Sequence, residues 1–211
     1  MKTNCRINRY LFSLSLLSCC IAALPAHADV GVMNRVLQQT PALSGIAICH
    51  DGGCARVTTT GMAPEEWQHL QQACQPVPAH AEAERTCIAE MLAGFERVVG
   101  VKTGTDADRG GTFGNSDHTG QMDCNDEAIN TTNYLKLMQQ HGLLRHHEIM
   151  DVARRGFFFN GWPHTTAVIR EIDSGQRYAV DTWFYDNGQP AVIIPFETWK
   201  SGWKPDDSRA H

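Results

Sequence analysis

The chain has 211 residues, 42% of them apolar and 19% charged. That is enough apolar mass to bury one ordinary core, and the balance excludes both a disordered chain and a membrane bundle. A net charge of −5 with no cluster of Lys or Arg also excludes a protein that wraps nucleic acid, because such binding draws most of its affinity from cationic contacts.

Residues 1–28 read as a secretory signal peptide. A basic head (Lys2, Arg6, Arg9) precedes an apolar stretch from Tyr10 to Leu24, and Ala26-His27-Ala28 forms an A-x-A cleavage site. Leu16-Leu17-Ser18-Cys19 offers the alternative of a lipoprotein box, with anchoring through Cys19. On the first reading residues 29–211 form a single exported domain, periplasmic or secreted. It carries no integral membrane segment and is more acidic than the whole chain, since the leader holds only basic charges.

Export places the domain where disulfides persist. Of the eight cysteines, Cys5, Cys19 and Cys20 belong to the leader, which leaves Cys49, Cys54, Cys74, Cys87 and Cys124. An odd number means at least one thiol is unpaired within the chain. Cys49-His50-Asp51-Gly52-Gly53-Cys54 reads as a hairpin with Asp51-Gly52 as a two-residue turn, which sets Cys49 opposite Cys54 at about 4.5 Å between Cα atoms. Trp67, Leu70 and Cys74 share one helical face. Ile88, Met91, Leu92, Phe95 and Val98 mark the next helix, with Cys87 in its first turns, and Gln75-Pro76-Val77-Pro78-Ala79 separates the two. A Cys74–Cys87 staple across this helical pair is the second preferred bridge. Four cysteines allow three connectivities, so the pairing is a preference.

The loop Thr103 to Gln121, rich in Gly, Asp, Ser and Thr, runs into Cys124. It reads either as a border of a substrate cleft or as a surface loop. Asp123 is a good N-cap, and Cys124, Ala128, Thr131, Leu135 and Met138 recur at spacings of four and three, predicting a helix to about His141 that stops at Gly142. Cys124 therefore starts an amphipathic helix on its inward stripe. A helix N-terminus stabilises a thiolate, the neighbouring carboxylates oppose it, and a cationic partner such as histidine is needed to tip the balance. The other reading is a buried structural thiol.

Downstream, Ile149 to Phe159 reads as a strand broken by Trp162-Pro163. His164 to Ile172 and Arg177 to Phe184 form a β-hairpin about Asp173-Ser174-Gly175. With Ser174-Gly175 as the loop, Asp181 lies about 13 Å along the sheet from His164. With Asp173-Ser174 as the loop, His164 falls opposite Trp183 and Asp181 becomes a diagonal neighbour at about 7–8 Å. Asp186 is a rival acid on the opposite face. His146-His147-Glu148 would point its adjacent side chains to opposite faces of a strand, so no metal site is expected there. Asn130-Thr131-Thr132 matches a glycosylation sequon on a helix and is read as chance, and Arg154-Arg155 is read as a strand edge. A short helix is expected near Glu197 to Trp203, and Trp183, Phe184, Trp199 and Trp203 supply bulk for the core or a cleft wall.

The order Cys124, His164, Asp181, with Asp123-Cys124-Asn125-Asp126 at a helix start and His and Asp on successive strands, resembles the bacterial transglutaminase-like cysteine peptidases over roughly Gly120 to Phe184. Residues 29–100 carry no signature of that family. The resemblance implies an α+β, papain/transglutaminase-like fold with the nucleophile-bearing helix packed on an antiparallel sheet. It implies a thiol protease or amidase acting on a peptide or protein, with Cys124 as nucleophile, His164 as general base and then acid, and Asp181 orienting His164. The alternatives are an acyl transferase or a non-catalytic binding domain of the same fold. The backbone N–H of Cys124 is the natural first oxyanion donor, and the Gln121 amide is a candidate second. No cofactor is required. Some relatives bind calcium through acidic residues, and Asp123, Asp126 and Glu127 offer oxygen ligands here.

Overall fold

The computed structural model describes residues 30–113, 119–156 and 163–206; the leader and Phe157–Phe159 of the expected strand lie outside them. The fold is α+β with two antiparallel sheets. Helix α1 (Val30–Gln38) precedes the hairpin of β1 (Ile46–His50) and β2 (Arg56–Thr60). Helix α2 (Pro64–Gln71) runs through a 3-10 turn to Cys74 and is followed by the long α3 (Ala81–Thr103) and by α4 (Cys124–Gln140). A four-stranded sheet follows, ordered β3 (His147–Arg155), β4 (His164–Glu171), β5 (Arg177–Asp181) and β6 (Val192–Pro195), and α5 (Phe196–Lys200) closes the chain. Helix α1 and strand β6 were not among the expected elements.

Helix α4 is buried on nearly every side, against β1, α1 and α3 as well as β3 and β4. Leu135, Leu137 and Met138 join the main core with Ile46, Ile88, Leu92, Phe95 and Ile169, but Asn130, Thr131, Thr132 and Asn133 are buried too. Their burial follows from the two-stranded sheet, whose β1 has a free edge that must find hydrogen bonds once it is covered. The Asn130 side chain accepts from the Cys49 N–H at 2.8 Å and donates to the Cys49 carbonyl at 2.9 Å. Asn133 donates to the Ala47 carbonyl. Asn130 is thus a strand partner, and being 2% exposed it is not accessible as a glycosylation acceptor.

Both bridges are present, Cys49–Cys54 and Cys74–Cys87, but the first arises differently from the expected two-residue turn. His50 pairs with Arg56 and Cys49 with Val57, so the connection has five residues. Four consecutive residues, Asp51 (φ 66°), Gly52 (84°), Gly53 (59°) and Cys54 (61°), are left-handed. Tertiary anchors select this longer loop. The Asp126 carboxylate accepts from the Gly52 and Cys54 N–H groups at 2.8 and 2.6 Å, and Asp51 accepts from the Gly120 N–H at 2.7 Å. The loop is thereby clamped to the start of α4.

The β4–β5 register is the Asp173-Ser174 alternative: Ala167 faces Val180 and Arg170 faces Arg177. The turn is closed by the Gly175 N–H on the Glu171 carbonyl and the Glu171 N–H on the Gln176 carbonyl, with Gly175 at φ 71°. Strand β3 carries a bulge. Met150 faces Val168, yet Ala153 faces Thr166, so one extra residue is accommodated and Arg155 faces His164.

Candidate active site

Helix α4 and strands β4 and β5 bring Cys124, His164 and Asp181 to one end of the sheet. Cys124 is α4's first residue, is 8% exposed, and is the free cysteine among the described residues. Its side chain clusters with Trp183 and Phe184. Cys124, Asn125, His164 and Thr165 line one cavity of 190 Å³, together with Val30, Met33, Arg154, Arg155 and Pro163.

His164 Nε2 meets Asp181 Oδ2 at 2.6 Å, both side chains almost fully buried. Asp181 is itself held. Trp199 Nε1 donates to Oδ2 at 2.7 Å and the Trp183 N–H to Oδ1 at 3.3 Å. The imidazole sits among Trp183, Phe184 and Trp199, with ring centroids 4.6, 5.3 and 5.7 Å away, and Nδ1 is buried with no hydrogen-bond partner among the described residues. A ring packed on three aromatics and fixed through Nε2 has one nitrogen left over, and His164 and Cys124 line the same cavity with no hydrogen bond from Nδ1 to the sulfur. Asp186 accepts instead from the Gly110 N–H at 3.0 Å and serves the loop.

The electrostatics of Cys124 differ from the thiolate expected at a helix start. Burial, reinforced by the Asp123 carboxylate, pushes the thiol up to about 12, with hydrogen bonding from Thr165 opposing the rise. The helix N-terminus is already occupied, since Asp123 accepts from the Asn125 and Asp126 N–H groups at 2.9 and 3.0 Å. Its dipole serves a carboxylate that is itself beside the sulfur.

Gln121, the candidate second oxyanion donor, is turned into the loop. Its amide donates to the Ala107 carbonyl at 2.9 Å and accepts from the Arg109 N–H at 3.1 Å, and it is not among the cavity's lining residues. The loop does reach the site. Trp183 Nε1 donates to the Thr112 carbonyl at 2.6 Å, and Phe113 meets the Trp183 ring at 5.3 Å. Gly110 packs so closely on Phe184 and Tyr185 that a Cβ would lie 2.5 Å from the Phe184 carbonyl oxygen.

The three carboxylates named for calcium each have protein donors: Asp123 in the helix cap, Asp126 in the hairpin loop, and Glu127 from the Thr182 hydroxyl at 2.5 Å. Among the described residues, the one group of three potential metal ligands is Cys49, Cys54 and Asp126. Its two sulfurs are bridged, and a disulfide is not a thiolate ligand. His147 is turned to Glu84 at 2.9 Å.

Sequence reasoning missed the parts played by Trp199, Thr165 and Arg155. Trp199 was read only as bulk, and the pairing of Arg155 with His164 depends on a bulge that has no sequence signal. Among the described residues no helix is long and apolar enough to cross a membrane. No family model, no curated protein and no solved structure matches this chain.

Proposed function

We propose that the protein is an exported thiol hydrolase of papain/transglutaminase-like type, a cysteine peptidase or amidase that cleaves amide bonds through an acyl-enzyme on Cys124. The observation that carries this reading is His164, whose Nε2 is fixed by Asp181 at 2.6 Å, whose buried Nδ1 has no partner among the described residues, and which lines the same cavity as Cys124. Two buried disulfides and the leader-like residues 1–28 support export.

Because the thiol is held up at about 12, it is neutral at rest, and activation is by general base. His164 Nδ1 takes the S–H proton as sulfur attacks the substrate carbonyl carbon. Asp181 stabilises the resulting imidazolium, which then passes the proton to the leaving amine. Water attacks the thioester, its proton goes to His164, and the acid is released. The Cys124 backbone N–H, which is not among the groups capped by Asp123, is available to the oxyanion.

The same raised thiol favours the rival reading, a non-catalytic binding domain of the same fold. A mixture of exported proteins incubated with wild type and with Cys124→Ala, followed by mapping of new protein N-termini, separates the two. Termini dependent on Cys124 are expected, and identical sets of termini would refute the peptidase reading. A labelled primary amine in the same mixture distinguishes transfer, which incorporates it, from hydrolysis.

A further inference from the structure

The cavity in front of Cys124 has a charge character that the triad does not explain. Its lining contains two arginines, Arg154 and Arg155, and no Asp or Glu, in a chain with 23 acidic residues against 18 Lys and Arg. Arg155 is only 9% exposed. A buried cation is ordinarily matched by a carboxylate. Asp181 is near enough for its charge to favour the Arg155 cation against burial, but its oxygens bond His164, Trp199 and the Trp183 N–H, and among the described residues no carboxylate lies within ion-pair distance of Arg155 or Arg154. Neutral groups hold the Arg155 guanidinium: Nη1 donates to the Trp199 carbonyl, and the group lies 4.6 Å from the Trp199 ring centroid.

The β3 bulge accounts for its placement. In the register of His147–Met150 the residue opposite His164 would be Arg154. The extra residue makes it Arg155 and turns that side chain to the face of the imidazole. A bulge that re-aims a cation into a cleft, together with burial that outweighs the nearby Asp181 charge and leaves the guanidinium without a directly bonded carboxylate, describes a site that can take an anion. The cavity's 190 Å³ suits one side chain or one chain end.

We infer that this cavity receives a carboxylate of the substrate, held by Arg155 and Arg154 beside the bond that Cys124 attacks. The carboxylate is either an acidic side chain or a free C-terminus. This rests on Cys124 being the nucleophile, but its test does not need turnover.

The test is the alkylation rate of Cys124 by iodoacetate relative to iodoacetamide, each normalised to glutathione at the same pH. In both reactions sulfur displaces iodide, so the ratio isolates the reagent's charge. The protein's ratio is expected to exceed that of glutathione by about tenfold, the effect of one charge-assisted contact. It should fall in Arg154→Gln, which removes the exposed arginine of the cavity's lining, and in Arg155→Lys, which keeps the charge but loses the fork. A ratio equal to that of glutathione, or one unchanged in both variants, overturns the inference. N-acetylglutamate α-amide and N-acetylglutamine, offered as protectants, distinguish the side-chain from the terminal carboxylate. Equal protection by N-acetylglutamine amide, which has neither, counts against both. A charge preference without Cys124-dependent cleavage would sink the peptidase reading alone, whereas cleavage without charge preference would sink this inference alone.

Discussion

Among the described residues two histidine–carboxylate pairs are buried on both sides, His147–Glu84 and His164–Asp181, and they differ in one valence. His147 Nδ1 meets Glu84 at 2.9 Å and its Nε2 lies 3.2 Å from Arg85 Nη1. Glu84 also accepts from the Arg145 and His146 N–H groups, and Arg85 continues to Glu171 at 2.8 Å. Every charge there is answered, which is how a fold ties the start of α3 to β3. His164 is bonded to Asp181 through Nε2 just as closely, yet its Nδ1 has no partner among the described residues, and Arg155, on the same cavity, feels the Asp181 charge without bonding to it. The chemistry of the two pairs is alike, and only the unfilled positions make one of them the candidate reactive site.

That contrast is broken most directly by substituting each histidine in turn. His164→Ala is expected to slow iodoacetamide alkylation of Cys124 at pH 7 by roughly 100-fold or more, because the general base is gone, and to cost about 3 kcal/mol of stability, since Asp181 is left buried without its histidine. His147→Ala is expected to leave alkylation near wild type and to cost about 3 kcal/mol of stability, since Glu84 is left buried without its main partner. Rate and denaturant midpoint, measured on both variants, check this; an exchange of the two phenotypes would refute the comparison. In His164→Ala the rate should keep rising with pH toward the raised pKa of the Cys124 thiol.

The pH dependence of stability sharpens the same contrast. Burial opposes the charge of Glu84, but the hydrogen bonds from His147, Arg145 and His146 outweigh it and hold the carboxyl below its usual range. The unfolded state then binds its proton more readily, so Glu84's contribution is present above the ordinary Glu pKa and lost as pH falls. Asp126 behaves oppositely. Burial and the Asp123 carboxylate outweigh three backbone N–H bonds and push it up to about 8, and burial with Glu127 nearby likewise raises Asp108. The folded state binds these protons more tightly, so their contribution is full below about 4 and is lost as pH rises toward about 8 for Asp126 and about 9 for Asp108. Melting temperature should therefore peak at mildly acid pH. Asp108→Asn should flatten the alkaline decline by about 3 °C and Glu84→Gln the acid one. An unchanged alkaline limb in Asp108→Asn would disprove the assignment.

The two bridges extend the comparison to covalent links. The Cys74–Cys87 bridge, with a sequence separation of 13, should contribute about 3 kcal/mol by loop closure. Cys49–Cys54, with a separation of 5, should contribute about 2 kcal/mol. Its loop also carries the N–H groups bound by Asp126 at the start of α4. Cys49→Ser with Cys54→Ser should thus affect alkylation of Cys124 more than Cys74→Ser with Cys87→Ser does, although it costs less stability. Denaturant curves and alkylation rates of the two double variants test that reversal.

Much of this was legible because it depends on local chemistry. The Asp123 cap and Gly142 delimit α4, the spacing of Trp67, Leu70 and Cys74 against Ile88 to Val98 marks the helical pair, and the odd cysteine singles out Cys124. The polar stripe of α4 was not legible. Asn130 and Asn133 are buried because they face the free edge of β1, a strand more than 80 positions earlier, and helical periodicity contains no information about an edge that distant.

The amino-acid order by itself determined which residue types stand at each element's start and stop, and hence which side chains a cap, a turn or a strand could offer. Tertiary structure alone decided which of those side chains meet. It chose the register that puts Asp181 on His164, drew the hairpin loop onto Asp126, used the Gln121 amide within its loop, and inserted the bulge that turns Arg155 toward the thiol. The physical reason is that capping and turn formation are settled within a few residues, whereas desolvation and charge matching depend on neighbours that only the folded chain supplies.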